Sequence, residues 1–251
     1  MGGMFLSRLN VLVLHRIVQD QPGEWADVKL AFLTELLIAI QQNNQSITRI
    51  DHWQETEQGQ VALSFDDGHM SDYEIVLPLL QKHHATATFF ITPDFVGRAG
   101  YLSWHQVKQL HKAGMEIGSH SLSHPYSTTI SQDDLMLEMQ QSKAQIEKQI
   151  DAEVKTFAYP YGDYSRNTHQ AAKSVGYQYI CTSKPGLCKP NSQIMGRNSV
   201  HSNTRIQDLS QLLNPSRSRI LQQQLNYAIR YGLKRAVGVN NYIKLKQFFF
   251  S

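Results

Sequence analysis

The sequence predicts an α/β fold built on a parallel sheet, and three observations carry that prediction. Short β-rich runs alternate with helical patterns along the chain. At 251 residues the chain is long enough to bury a substantial core. Polar residues gather directly after three of the strand candidates, which in a parallel barrel would place them on one face. Alternation alone leaves a closed barrel and an open doubly wound sheet both available.

The strand candidates are residues 10–14, 61–65, 86–91, 115–119, 156–158, 179–182 and 193–200. The helical patterns are residues 29–41, 71–83, 103–113, 131–150 and 166–175. The fourth strand-to-helix unit ends in the clearest helix, 131–150. Ser131 with Asp134 makes a start resembling a capping box, and Leu135, Met139, Ile146 and Ile150 form an apolar stripe at helical spacing. Its expected task is to cover the sheet.

Hydrophobic residues make up 41% and charged residues 18%, which excludes a disordered chain. The net charge of +3 is unevenly placed. No acidic residue follows Asp208, whereas Arg217, Arg219, Arg230, Lys234, Arg235, Lys244 and Lys246 do. Residues 1–208 then hold 17 basic and 21 acidic side chains, a formal −4. The chain divides accordingly into a domain over 1–208 and a basic helical extension over 209–251. In that extension Leu221, Leu225, Ile229, Leu233 and Val237 recur every four positions, and Phe248, Phe249 and Phe250 follow the last basic residues. The stripe fits a helix packed on the domain, or an amphipathic segment on an anionic membrane surface. No nucleic-acid partner is expected.

Two cysteines, Cys181 and Cys188, are too few for a secreted disulfide scaffold, and two free thiols are expected. The apolar stretch near the start, Val11-Leu12-Val13-Leu14, is far shorter than the roughly 7–15 residues of a secretory leader. A cytoplasmic location is the expectation, with peripheral contact at the inner face of the membrane.

Asp66 and Asp67 follow the strand 61–65 and precede Gly68. Alone, the pair also suits an Asx turn ahead of a helix. His120 and His124 follow the strand 115–119. Two imidazoles four apart can meet one ion if the segment is helical or tightly turned, or they can be unrelated loop residues. Taken together, two imidazoles and a carboxylate give three protein ligands and leave positions open, as a catalytic metal requires. A second aspartate is then free to act as a base. Non-haem iron oxygenases use the same ligand set, so the count does not fix the reaction. Tyr159, Pro160 and Tyr161 follow the strand 156–158 on the same predicted face.

Three runs resemble, in order and spacing, the motifs of the polysaccharide deacetylases, the NodB-homology group of carbohydrate esterases. They are Ser64-Phe65-Asp66-Asp67-Gly68, His120-Ser121-Leu122-Ser123-His124-Pro125 and Phe157-Ala158-Tyr159-Pro160-Tyr161-Gly162. Leu14-His15-Arg16-Ile17 also resembles the start of many such domains. The resemblance implies a distorted (β/α) barrel of about seven parallel strands, here with a C-terminal helical extension. It implies Asp66 as base, Asp67, His120 and His124 as ligands of a divalent metal, and the N–H of Tyr161 as an oxyanion donor. Zinc suits that ligand set, with cobalt, nickel or manganese as substitutes.

The chain departs from the family pattern twice. Where many members carry a base-orienting arginine, two residues before the proline, this chain has Ala158. Arg197 could replace it, or could sit on the surface or bind substrate, as could Pro160. The family's last motif usually supplies a histidine general acid. The nearest match is Ser199-Val200-His201, where His201 also reads as an exposed loop residue. Asp163 and Tyr164 are candidates to line the substrate cleft. The implied activity is removal of an N-acetyl group from an N-acetylhexosamine in a polysaccharide, oligosaccharide or lipid-linked glycan. An O-acetyl esterase and a catalytically inactive sugar-binding barrel are the alternatives.

Overall fold

The computed structural model describes residues 8–54, 59–189, 192–239 and 241–242. Residues 1–7, and Lys244, Lys246, Phe248, Phe249 and Phe250, lie outside the described residues.

Numbered in chain order, the strands are β1 (Leu9–Leu14), β2 (Ile17–Val18), β3 (Val28–Lys29), β4 (Ser46–Thr48), β5 (Gln60–Phe65), β6 (Thr88–Ile91), β7 (Glu116–Ser119), β8 (Thr156–Ala158), β9 (Tyr179–Cys181), β10 (Ile194–Met195) and β11 (Asn198–Ser199). The helices are α1 (Leu30–Gln42), α2 (Leu77–Lys82), α3 (Trp104–Lys112), α4 (Gln132–Ile150), α5 (Arg166–Ser174), α6 (Leu209–Leu213) and α7 (Arg217–Val237). One nine-stranded sheet runs in the order β10-β9-β8-β7-β6-β5-β1-β11, with β4 added to the first half of β5. Every pairing in it is parallel.

All seven predicted strand runs are present. The last, 193–200, is split, and the split closes the fold. Its two pieces, β10 and β11, are the opposite ends of the ladder, yet only Gly196 and Arg197 separate them. Two residues span at most about 7 Å, so the sheet must curl until its ends nearly meet. The Arg197 N–H donates to the Lys184 carbonyl at 3.1 Å. Gly196 makes that approach possible, because a Cβ there would lie 2.7 Å from the same oxygen. The short β2–β3 pair and β4 carry too few alternating residues to stand out in the sequence.

The strands sort their side chains by the period of two. Leu12, Leu14, Leu63, Phe65, Phe89, Ile91 and Phe157 point outward into the layer covered by the helices. Leu9, Val11, Ala62, Phe90, Ala158, Cys181 and Met195 fill the barrel interior. Both cysteines are free and buried.

The helices begin where their caps predict. Ser103 and Gln106 form a reciprocal capping box on α3, as do Ser165 and Thr168 on α5. On α4, Ser131 accepts from the Asp134 N–H at 3.1 Å. The predicted helix 71–83 instead opens as a π turn, Asp72–Val76, before α2. Pro78 has no N–H to return to the preceding turn, which suits a wider start.

The extension is helical, but its orientation is a correction to the packed reading. α7 docks through its polar face: Gln224 Nε2 donates to the Pro185 carbonyl, Tyr231 Oη to the Tyr164 carbonyl, and Lys234 pairs with Asp163. Leu221, Leu225, Ile229 and Leu233 face outward and are 66%, 61%, 60% and 47% exposed. No helix among the described residues is long and apolar enough to cross a membrane.

Candidate metal centre and active site

Asp66 and Asp67 leave the end of β5 in different directions. Asp66 continues the strand, its N–H donating to the Leu14 carbonyl at 3.1 Å. Asp67 turns into the left-handed region with φ 76°, which Gly68 continues at 72°. The kink separates two carboxylates that would otherwise repel.

Asp66 is buried against Arg197. The two guanidinium Nη atoms donate to its two oxygens at 2.6 and 2.8 Å. Burial by itself would raise the Asp66 pKa, but the charges of Arg197 and His120 and the paired hydrogen bonds hold it below the ordinary value. Asp66 is therefore an oriented anion. Arg197 is itself only 1% exposed, with its Nε on the Thr182 carbonyl at 3.3 Å. A surface role is excluded, and both Nη atoms meet Asp66 rather than solvent, which removes Arg197 from the substrate-binding candidates.

Asp67 faces imidazoles. Its Oδ1 lies 3.1 Å from His124 Nε2 and 3.5 Å from His120 Nε2, and Oδ2 lies 3.6 Å from His69 Nε2. Burial would raise its pKa, but these rings hold it well below the usual carboxylate range. His120 is oriented from behind. Its Nδ1 is 2.8 Å from the Ala158 carbonyl, which can only accept, so the proton sits on Nδ1 and the Nε2 lone pair faces Asp67. Burial pushes its pKa down to about 4, so the ring is neutral and ready to ligate near pH 7.

His124 reaches the cluster through a turned loop, not a helix: Ser121 and His124 both adopt φ 67°. One carboxylate holds that loop. Glu138 of α4 accepts from Ser121 Oγ at 2.7 Å, from the N–H groups of Leu122 and Ser123 at 2.9 Å each, and from Ser123 Oγ at 2.6 Å. The sequence offered no signal for this beyond an acidic residue on a covering helix. Glu138→Ala is expected to weaken metal affinity by roughly 10–100-fold, as loss of a supporting contact does elsewhere, with Asp66 unaffected. Isothermal titration with zinc would check it, and unchanged affinity would mean that the loop holds its shape unaided.

The donor set fits a metal ion. One ligand atom each from Asp67, His120 and His124 lie within 4.8 Å of one another. Asp67 Oδ1 is buried without an aligned hydrogen bond, so a cation is what it lacks. Bonds of about 2.0–2.2 Å in a tetrahedral site put donors roughly 3.3 Å apart, near the distances found.

The rim is aromatic. Tyr161, at φ 58° and 56% exposed, stacks on Tyr126 at 3.9 Å and meets His124 edge-on at 4.6 Å. Phe95 lies 5.6 Å from the His124 ring and 4.9 Å from that of Tyr101. Pro160 is buried at the start of the turn Pro160–Gly162, which places it in the scaffold rather than against substrate. Asp163 is also buried, accepting from the Thr128 N–H and Oγ1 and pairing with Lys234, so it ties loops together instead of lining the cleft.

Two further groups border the carboxylates. His15 follows β1, and the register pairs Leu14 with Phe65, so His15 and Asp66 leave the sheet side by side. It is half-buried, and its charge reaches both aspartates. Asp72 is fully buried with both oxygens unpartnered. Burial and the neighbouring charges of Asp67 and Asp66 raise its pKa well above the usual range. His201, by contrast, stacks on Trp25 at 4.6 Å, and its Nδ1 accepts from the Asn203 N–H at 3.3 Å. Burial and Arg230 lower its pKa, which favours the neutral ring over the protonated form that an acid catalyst starts from.

Residues 54–180 match the family model described as polysaccharide deacetylase. The chain belongs to the polysaccharide deacetylase family. That span contains Asp66, Asp67, His120, His124 and Tyr161, and leaves out Arg197 and His201. Over 121 residues the chain is 36% identical to the peptidoglycan-N-acetylglucosamine deacetylase of Bacillus cereus, covering 48% of this chain and 54% of that protein. Over 127 residues it is 31% identical to the peptidoglycan-N-acetylmuramic acid deacetylase PdaA of Bacillus subtilis, covering 50% and 47%. The chain thus spans about half the length of the curated relatives it matches. The deacetylase PplD of Streptococcus pyogenes, solved in complex with acetate, shares the fold with a TM-score of 0.77 at 23% identity, covering 84% of this chain and 100% of that one.

Proposed function

We propose that this chain is a metal-dependent carbohydrate deacetylase that removes the N-acetyl group from an N-acetylhexosamine unit of a polysaccharide, oligosaccharide or lipid-linked glycan. The observation that carries this reading is the division between adjacent aspartates: Asp67 lies nearest two imidazole nitrogens, while Asp66, 3.8 Å from His120 Nε2, takes both Nη atoms of Arg197. Both curated relatives named above act, by their names, on N-acetylated sugars, which favours the amide over an O-acetyl ester.

Asp67, His120 and His124 would hold the ion, and zinc suits them best. When bound, the ion polarises the acetyl carbonyl and makes water more acidic. Asp66, ionised and fixed, accepts the proton of the attacking water. The N–H of Tyr161, in the first turn after β8, donates to the oxygen that gains charge as the carbonyl carbon becomes tetrahedral. The C–N bond then breaks, acetate forms, and the amine nitrogen takes a proton. His15 stands beside Asp66 and is better placed than His201 to supply it. The aromatic rim of Tyr126, Tyr161, Phe95 and Tyr101 offers faces for a sugar ring.

Acetate release from N-acetylated and O-acetylated glycans, with and without a chelator, tests the proposal. Release confined to O-acetyl substrates, or none from either, would overturn it. Asp66→Asn is expected to keep the metal and lose about 10²–10⁴-fold in turnover, the usual worth of a general base. His15→Ala is expected to slow the reaction more than His201→Ala does, with metal content unchanged in both. Metal analysis beside steady-state rates would decide, and metal loss in Asp66→Asn would mean that the two aspartates share the ion.

A further inference from the structure

The helix α7 is turned the wrong way for a helix that serves only to cover a barrel. Its half-buried residues include Arg219, Gln223, Gln224, Tyr227, Tyr231 and Lys234, and anchoring contacts come from Gln224, Tyr231 and Lys234. Leu221, Leu225, Ile229 and Leu233 are exposed, whereas Ile220 and Val237 are half-buried. At about 100° per residue, Leu221, Leu225, Ile229 and Leu233 cover roughly 120° of the circumference. Ser218, Ala228, Gly232 and Ala236 fall within or beside that arc, and Gln222, near its Leu233 edge, is the one long polar side chain inside it.

The charges are arranged around the same arc. Arg217 and Arg235 lie about 40° beyond its Leu221 edge, and Arg219 and Arg230 about 40–60° beyond its Leu233 edge. Neither the helix nor the sequence after it contains an acidic residue. The nine residues after Tyr242 add Lys244, Lys246 and three phenylalanines. An aliphatic strip flanked on both sides by arginines, with Asp208 reaching Arg219 alone among them, is complementary to a surface that is apolar beneath and negative above. A second copy of this helix would bring arginines against arginines.

We propose that α7 docks this protein on an anionic phospholipid surface, with Leu221, Leu225, Ile229 and Leu233 seated among the acyl chains and Arg217, Arg230 and Arg235 against the headgroups. Docking by the polar face keeps the barrel attached, because Lys234 and Tyr231 remain bound to the third-motif loop. The helix therefore joins the membrane surface to the loop that carries Tyr161. The inference does not depend on the chemistry proposed for the site, and its test reads no turnover.

The full chain should be mixed with vesicles of phosphatidylcholine alone and of phosphatidylcholine with phosphatidylglycerol, at low and high salt, and followed by flotation. Binding to the anionic vesicles that weakens at high salt is expected, with little binding to the neutral ones. Leu225→Gln/Ile229→Gln should weaken it at least about tenfold even at low salt. Arg217→Gln/Arg235→Gln should weaken it by roughly fivefold per arginine and flatten the salt dependence. All four residues are exposed, so circular dichroism should show folded variants. Equal partition of the wild type onto neutral and anionic vesicles, or none onto either, would overturn the proposal. So would a concentration-dependent dimer in analytical ultracentrifugation that Leu225→Gln/Ile229→Gln abolishes while vesicle binding is unaffected.

Discussion

His120→Ala is expected to yield a folded protein that holds less than about a tenth of the wild-type metal and has lost on the order of 10³-fold or more in acetate release. Two donors, Asp67 and His124, would remain, and the latter sits on a loop held by Glu138 and by the Asp94 N–H on the Leu122 carbonyl. The substitution also removes the ring that satisfies the Ala158 carbonyl, so about 1–3 kcal/mol of stability should go with it. The loss should be specific to the ion, since Asp66 and Arg197 keep their contact. Zinc content by mass spectrometry, next to a urea unfolding curve, separates the two effects. Full occupancy in the variant would remove His120 from the ligand set. Because burial holds the His120 pKa down to about 4, protons should not compete for this ligand until the pH approaches that value.

Much of this site is legible in the sequence, for a simple reason. Asp66, Asp67, His120 and His124 each follow a strand whose apolar run marks its own end, and parallel strands bring those ends together. The residues that support them were not legible. Glu138 lies on a helix whose apolar stripe accounts for its presence, and nothing in the local pattern says that its carboxylate caps a loop 15 residues away. Arg197 sits in what reads as one strand, 193–200. Its position on Asp66 follows only from the break at Gly196 and the curling of the sheet that brings β11 beside β1. The spacing of leucines in α7 shows that one face is apolar but not which face meets the barrel. That was decided by Tyr231, Lys234 and Gln224, polar residues whose partners are distant in the chain.

Arg197→Met should destabilise the fold by about 3–5 kcal/mol at neutral pH, the usual cost of stranding one member of a buried ion pair. Asp66 would keep its burial and lose the charge that opposes it. Arg197→Met/Asp66→Leu leaves no stranded charge, so its stability should recover most of the way toward wild type despite two substitutions. Strict additivity of the two single changes would show that the pair is not coupled. The pH dependence gives an independent readout. In the wild type the Asp66 pKa is depressed, so its contribution is fully present above the ordinary carboxylate value and is lost as pH falls through the lower folded value. Without Arg197, burial is opposed only by His120 and His15 and raises the pKa. The contribution then reverses sign: the folded state binds the proton more tightly, and stability falls as pH rises through the ordinary carboxylate range toward the raised value. Urea midpoints measured from acid to neutral pH should therefore slope in opposite directions for the two proteins at this group. Deacetylation should follow the same titration, because only ionised Asp66 can take a proton from water, and the acid limb of turnover should move to higher pH in Arg197→Met and return toward the wild-type position in Arg197→Lys. An acid limb that stayed in place in Arg197→Met would show that Arg197 does not set the state of Asp66.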